Sequence, residues 1–233
     1  MLKLQEEGAL NVNLVTPTIW ALQIKEAAKK AKKKGLKIPI VWNSNAYEEE
    51  GLIKNLEGLV DIYLPDFKYG DDKLAFKYSG VKKYKEKAQK AIILMREQVG
   101  DLRLSFDSAA LRSGHFKKTR RTLSEVEVSE EGIAKRGIII RHLILPNNTE
   151  NSKKVLKIIS EISKDVYVSL MNQYEPLNKA KKFPEIARRL KKEEFEEVYD
   201  YQLKLGLKNG WVQAMESPEV FLPDFKKENP FPV

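Results

Sequence analysis

Asp66, Lys68 and Arg141 are charged residues of this 233-residue chain that stand at the end of, or within, apolar strand-like runs. Asp66 and Lys68 stand two apart in "LVDIYLPDFKYG", so an extended backbone turns both side chains to one side. Arg141 lies in the middle of "RGIIIRHLILP", among isoleucines and leucines. A guanidinium buried there without a counter-charge would be strongly destabilising, so the rest of the chain has to supply its partner. Further polar groups stand where apolar runs end: Thr16 in "VTPT", Asn43 and Asn45 in "VWNSN", Asn147 in "LPNN", and Asn172 and Gln173 in "SLMNQYEP". Any strand end turns polar as it meets water, which accounts for the asparagines. It accounts less well for an Asp–Lys pair at the same rim.

Other chemistries find little support. The only histidines are His115 and His142, and no Ser/His/Asp order is convincing. His142 alternates to the face opposite Arg141 and reads as a hydrogen-bonded structural histidine, and His115 reads as solvated. There is no glycine-rich phosphate loop and no carboxylate cluster with metal spacing, so no catalytic residue and no metal ligand is assigned. With no cysteine in the chain, disulfides, thiolate-held zinc and cysteine-ligated iron–sulfur clusters have no ligands.

The elements that must position these residues alternate. Strand-like runs fall at about 11–16, 38–43, 60–66, 137–145 and 166–172, with "GWVQAME" as a sixth candidate. Helical patterns fall between them, at about 19–34, 48–56, 72–98, 152–162 and 193–205. Strands that are apolar along most of their length and alternate with helices indicate parallel βα units. The expected fold class is α/β: a partial, incomplete (β/α)6 TIM-like barrel of mainly parallel strands with outer helices. In such a sheet the ligand site lies beyond the carboxyl ends of the strands. Residues 1–233 read as one domain of this kind, with an irregular basic insert at about 101–130 containing "HFKKTRR".

Lys and Arg outnumber Asp and Glu by 42 to 33, a formal charge of +9 that favours anionic partners. The lysines are spread along helices and read as solvated faces. Without a recognisable nucleic-acid-binding module, nucleic acid is not an expected partner. No signal peptide and no run as long as a membrane span is present, and a cytoplasmic protein is expected.

Five segments in order, "LQEEGALNVNLVTPT", "IPIVWNSNAYE", "LEGLVDIYLPDFKYG", "RGIIIRHLILP" and "VSLMNQYEP", together resemble a radical SAM protein of the branch related to pyruvate formate-lyase-activating enzymes. The resemblance covers most of the chain. It implies a partial barrel that binds S-adenosylmethionine and a [4Fe–4S] cluster at its top. By that resemblance Thr16 and Thr18 stand where such enzymes hold the methionine amino group, although the Gly-Gly-Glu usual there is missing. Asn43 and Asn45 would lie near the nucleoside. Asp66 would order the site, and Lys68 and Arg141 would face the ribose or the methionine carboxylate. Gln173 and Tyr174 would lie near the adenine edge. The resemblance also implies hydrogen abstraction from a substrate, with a protein such as a glycyl radical enzyme among the candidates.

Such enzymes hold their cluster with a Cys-x-x-x-Cys-x-x-Cys loop after the first strand, and this chain has neither that strand nor any cysteine. No cluster is expected on it. It corresponds to the carboxy-terminal portion of such an enzyme and should not cleave S-adenosylmethionine alone. The alternative is a non-catalytic remnant that binds a nucleotide or a partner chain.

Overall fold

β-branched runs make the strands, and the helices between them carry one apolar stripe each, so every strand–helix unit buries its helix on the same side of a shared sheet. The computed structural model describes residues 1–105 and 133–212. Most of the basic insert, His115 included, lies outside the described residues. The elements in chain order are α1 (Leu2–Glu6), β1 (Val12–Val15), a 3-10 turn (Pro17–Trp20), α2 (Ala21–Lys33), β2 (Ile40–Ser44), α3 (Glu50–Asn55), β3 (Ile62–Pro65), α4 (Asp72–Ser79), α5 (Tyr84–Val99), β4 (Arg103–Ser105), β5 (Ile133–Leu143), α6 (Thr149–Ile162), β6 (Tyr167–Met171), two 3-10 turns (Asn178–Lys182 and Pro184–Ile186), α7 (Lys192–Lys204) and β7 (Gly210–Val212).

Six strands form one parallel path, β1-β2-β3-β5-β6-β7. This is the expected α/β architecture, a partial TIM-like barrel with outer helices. The sixth candidate strand is present as β7. The short β4 is an addition that periodicity did not reveal, and it pairs antiparallel with β5. The single helix expected over 72–98 is two. Gly80, at φ 69°, closes α4, and Lys83, at φ 55°, opens α5. Two left-handed residues so close together turn the chain and end any continuous helix.

Two apolar layers flank the sheet. On the outer face Trp42, Tyr63, Ile138, Ile140, Val168 and Leu170 pack against the helices, including Ile92 and Met95 of α5 and Leu156 and Ile159 of α6. On the inner face Val41, Ile62, Leu64 and Ile139 meet Leu102 and Ala134. The inner layer fixes the site by parity. Asn43 follows Val41, Asp66 follows Leu64 and Arg141 follows Ile139, each by two residues, so all three stand on the inner face just above apolar residues.

His142 points outwards and is fully buried. Its Nδ1 lies 2.7 Å from the Phe67 carbonyl oxygen and its Nε2 lies 2.8 Å from Ser152 Oγ. A carbonyl only accepts, so Nδ1 carries the proton and Nε2 accepts from the serine hydroxyl. The histidine ties the end of β3 to β5 and α6, as a structural histidine should. Burial lowers its pKa to about 4.

The close approach of Asp101 and Leu102 to β5 needs a glycine. Gly137 has φ 135°, and a Cβ there would stand 2.4 Å from Leu102 Cα. Gly137→Ala should therefore lower unfolding free energy by about 3 kcal/mol or more. Gly80→Ala, which meets only open space, should cost about 1–2 kcal/mol. Urea denaturation of both variants distinguishes these outcomes, and equal losses would remove the steric explanation.

The histidine gives a second expectation. The unfolded chain takes up a proton near pH 6.5 and the folded chain only near pH 4, so stability falls with pH between those values. Over that window the wild type should lose on the order of 3 kcal/mol more than His142→Gln. The difference between their denaturation curves, followed from pH 7 to pH 4, isolates this contribution from that of the carboxylates.

Candidate functional site

The carboxyl ends of β1, β2, β3 and β5 surround a cleft of about 490 Å³. Its lining includes Thr16, Asn43, Asn45, Asp66, Lys68 and Arg141, with Tyr47, Tyr69 and Tyr84 along one side. Small-molecule sites usually enclose roughly 300–1,000 Å³.

Asp66 and Arg141 face each other across a parallel bridge between the β3 end and β5. Arg141 Nε donates to Asp66 Oδ1 at 2.7 Å, and Nη2 reaches the same oxygen at 2.6 Å and Asn43 Oδ1 at 2.6 Å. Lys68 Nζ donates to Asp66 Oδ2 at 2.6 Å. Both carboxylate oxygens are thus engaged by cations, and the arginine has its counter-charge within the protein. Asp66 is the first partner, because a neighbouring strand end supplies a carboxylate at bonding distance.

Charge remains over. One carboxylate faces two cations, leaving a net +1. Among the described residues Arg141 Nη1 has no partner, and the Lys68 side chain is 38% exposed. Both residues line the cleft, and their charge matches an anionic group, which a guanidinium can hold through charge-assisted bonds.

Tyr84, at the start of α5, holds the rim together. Its hydroxyl accepts from Lys68 N at 2.9 Å, and its proton lies between the carbonyls of Asp66 at 2.9 Å and Asn45 at 3.1 Å. Burial, ahead of the nearby Asp66 charge, pushes its pKa up, which keeps it neutral. Its ring stacks on Tyr47 with centroids 5.9 Å apart. Three non-glycine residues beside or in the cleft have left-handed backbone: Thr16 at φ 52°, Ala46 at φ 60° and Lys83 at φ 55°. A β-branched residue such as Thr16 rarely adopts this region, and such strain concentrates at functional sites. Sequence reasoning overlooked Tyr84. The helical pattern that runs on from 72 to 98 placed Tyr84 inside one helix, so no sequence signal marked it as a rim residue.

The other sequence candidates lie elsewhere. Thr18 Oγ1 donates to the buried Glu48 at 2.8 Å, and Trp42 Nε1 donates to the same carboxylate. Tyr174 is buried and donates to the Ile186 carbonyl at 3.0 Å, anchoring the connection between β6 and α7. Gln173 is not among the residues that line the cleft, and its Oε1 is buried with no partner among the described residues. No cluster of three or more potential metal ligands occurs among the described residues. None of their helices is long and apolar enough to cross a membrane.

No family model matches the chain. An uncharacterized protein of Methanocaldococcus jannaschii is 29% identical over 210 residues, which is 89% of this chain and 50% of that protein. The chain thus spans about half the length of the curated relative it matches. Among solved structures, a domain of a pyruvate-formate lyase-activating enzyme from Bacteroides vulgatus superposes with a TM-score of 0.56 at 11% identity, covering 88% of this chain and 99% of that one. At that identity the likeness is one of fold.

Removing the Tyr84 hydroxyl leaves a buried N–H and two carbonyls short of a bond. Tyr84→Phe should cost about 1–3 kcal/mol of stability by chemical denaturation. A loss below about 0.5 kcal/mol would show that water replaces the hydroxyl.

Proposed function

We propose that the cleft binds S-adenosylmethionine and that this chain is the barrel portion of a radical SAM-type protein resembling the pyruvate formate-lyase-activating enzymes. The observation that carries the reading is the Asp66–Lys68–Arg141 cluster, with its surplus positive charge and open Arg141 Nη1 at the carboxyl ends of parallel strands. An amino-acid carboxylate suits those donors. Asn43, Asn45 and Thr16 line the same cleft and supply groups for the remainder of the ligand. The fold likeness to an activating-enzyme domain supports the same ligand class.

A [4Fe–4S] cluster does not fit the residues present. Its usual ligands are thiolates, and the chain has none. Of the two readings open for the chain by itself, this favours binding without cleavage. Hydrogen abstraction, and any protein substrate such as a glycyl radical enzyme, would belong to a protein that also carries the cluster ligands.

In this reading Arg141 Nη1 and Lys68 Nζ bind the carboxylate. Asp66 holds both cations in place and keeps their charges from repelling each other. Asn43, on β2 beyond β3, accepts a further bond from Nη2 and helps fix the guanidinium.

Calorimetric titration with S-adenosylmethionine and S-adenosylhomocysteine tests this. Both should bind. Arg141→Ala should weaken binding about ten- to a hundredfold, the loss of one charge-assisted contact. Lys33→Ala, at the far end of α2, should change nothing. Arg141→Lys keeps the charge without the planar fork and should fall between. No binding to the wild type, or equal affinity in folded Arg141→Ala and wild type, overturns the proposal.

A further inference from the structure

Hydrogen-bond donors and acceptors are unequally divided along the cleft. Asp66 is the one acid among the described residues that line it, and Arg141 and Lys68 take both of its oxygens. Asn43 Oδ1 accepts from Arg141 Nη2, and Asn45 Oδ1 accepts from Tyr47 N at 3.0 Å. A side-chain amide fixed by its oxygen has its N–H donors left for a ligand. The cleft therefore offers a guanidinium, an ammonium and two amide groups as donors, and its strongest acceptors are already in use.

A cationic part of a ligand needs a carboxylate or the face of an aromatic ring. Glu48 does not line the cleft. It is 3% exposed, and its carboxylate accepts from Thr18 Oγ1 and Trp42 Nε1. The tyrosine rings are engaged within the protein. Tyr47 has Tyr84 stacked on it and Lys87 Nζ 5.0 Å from its centroid. Tyr69 meets Tyr84 edge to face with centroids 5.3 Å apart. Burial pushes the phenols of Tyr69 and Tyr84 up, so neither supplies a negative charge.

This imbalance bears on the form of ligand the cleft takes. S-Adenosylmethionine combines one carboxylate with two cations, the ammonium and the sulfonium, and is a net cation. In S-adenosylhomocysteine the sulfur is a neutral thioether and the net charge is zero. Arg141 and Lys68 suit the carboxylate that both share. The sulfonium is a further positive charge in a cleft that already carries a surplus of one and has no acid left to face it.

On the reading that the cleft holds an adenosyl ligand, we infer that it selects against positive charge and binds the thioether form ahead of the sulfonium form. The carboxylate is the group recognised, and the ammonium adds nothing favourable. Thr16 and Asn45 set the preference, because they line the cleft with neutral groups where an acid would pair with a cation.

Calorimetric titration at low ionic strength tests this with three ligands that share the adenosine and the carboxylate. They are S-adenosylmethionine, S-adenosylhomocysteine and the desamino analogue of S-adenosylhomocysteine, which carry two, one and no cations. Affinity should rise about three- to tenfold with each cation removed. Near 0.5 M salt the steps should shrink to about twofold or less, because mobile ions screen charges in an open cleft. Asn45→Asp keeps an acceptor for Tyr47 N and adds a negative charge, so it should bring S-adenosylmethionine to within about twofold of S-adenosylhomocysteine. Thr16→Asp should do the same, since aspartate tolerates the left-handed backbone at φ 52° better than a β-branched residue. Equal affinities across the series, or tightest binding of S-adenosylmethionine, overturn the inference and leave the adenosyl reading of the cleft standing. So do steps that salt leaves unchanged, or a wild-type ratio in both folded aspartate variants. Failure of all three ligands to bind overturns the adenosyl reading itself, and the inference with it.

Discussion

A guanidinium on the inner face of a sheet is tolerable only if a carboxylate reaches it, and the arrangement of the strand ends follows from that requirement. Arg141 stands directly above Ile139, where the inner apolar layer gives way to the open end of the sheet. Asp66 reaches it from the neighbouring strand end and engages two of its nitrogens. Lys68 takes the other carboxylate oxygen. The cluster is about one-fifth to two-fifths exposed. Water therefore screens part of its Coulomb energy, and its value lies more in geometry than in stability. It fixes β3 against β5 and leaves one cationic face turned to the cleft.

The outer face makes that geometry rigid. His142, next to Arg141, points the opposite way and bonds the carbonyl of Phe67, the residue between Asp66 and Lys68. The two strand ends are thus joined on the inner side by an ion pair and on the outer side by a neutral histidine. Tyr84 adds a third tie, from α5, to the backbone of Asn45, Asp66 and Lys68. Each tie is an ordinary hydrogen bond. Together they fix the rim from three directions, which is the preorganisation that a binding site needs.

Much of the fold was legible because its determinants are local. Strand–helix alternation and apolar runs locate all six parallel strands to within a few residues. What escaped was set by single residues or by distant partners. The break between α4 and α5 depends on the left-handed Gly80 and Lys83, and the helical periodicity runs on through both. β4 is three residues long and exists because β5 extends far enough to pair with it. Of the site candidates, Thr16, Asn43, Asn45, Asp66, Lys68 and Arg141 meet in one cleft. Thr18 and Tyr174 instead satisfy buried groups nearby, Glu48 and the Ile186 carbonyl.

By itself the sequence determined the parallel α/β architecture, the shared side of Asp66 and Lys68, and the lack of thiolate ligands. These depend on period, spacing and composition, which need no third dimension. Only the tertiary structure decided that Arg141 pairs with Asp66, 75 residues away, and that Asn43 completes its setting from 98 residues away. It also decided which nitrogens of the guanidinium are engaged, Nε and Nη2. Strand register brings these groups within 3 Å, and register depends on the packing of the whole sheet against its helices.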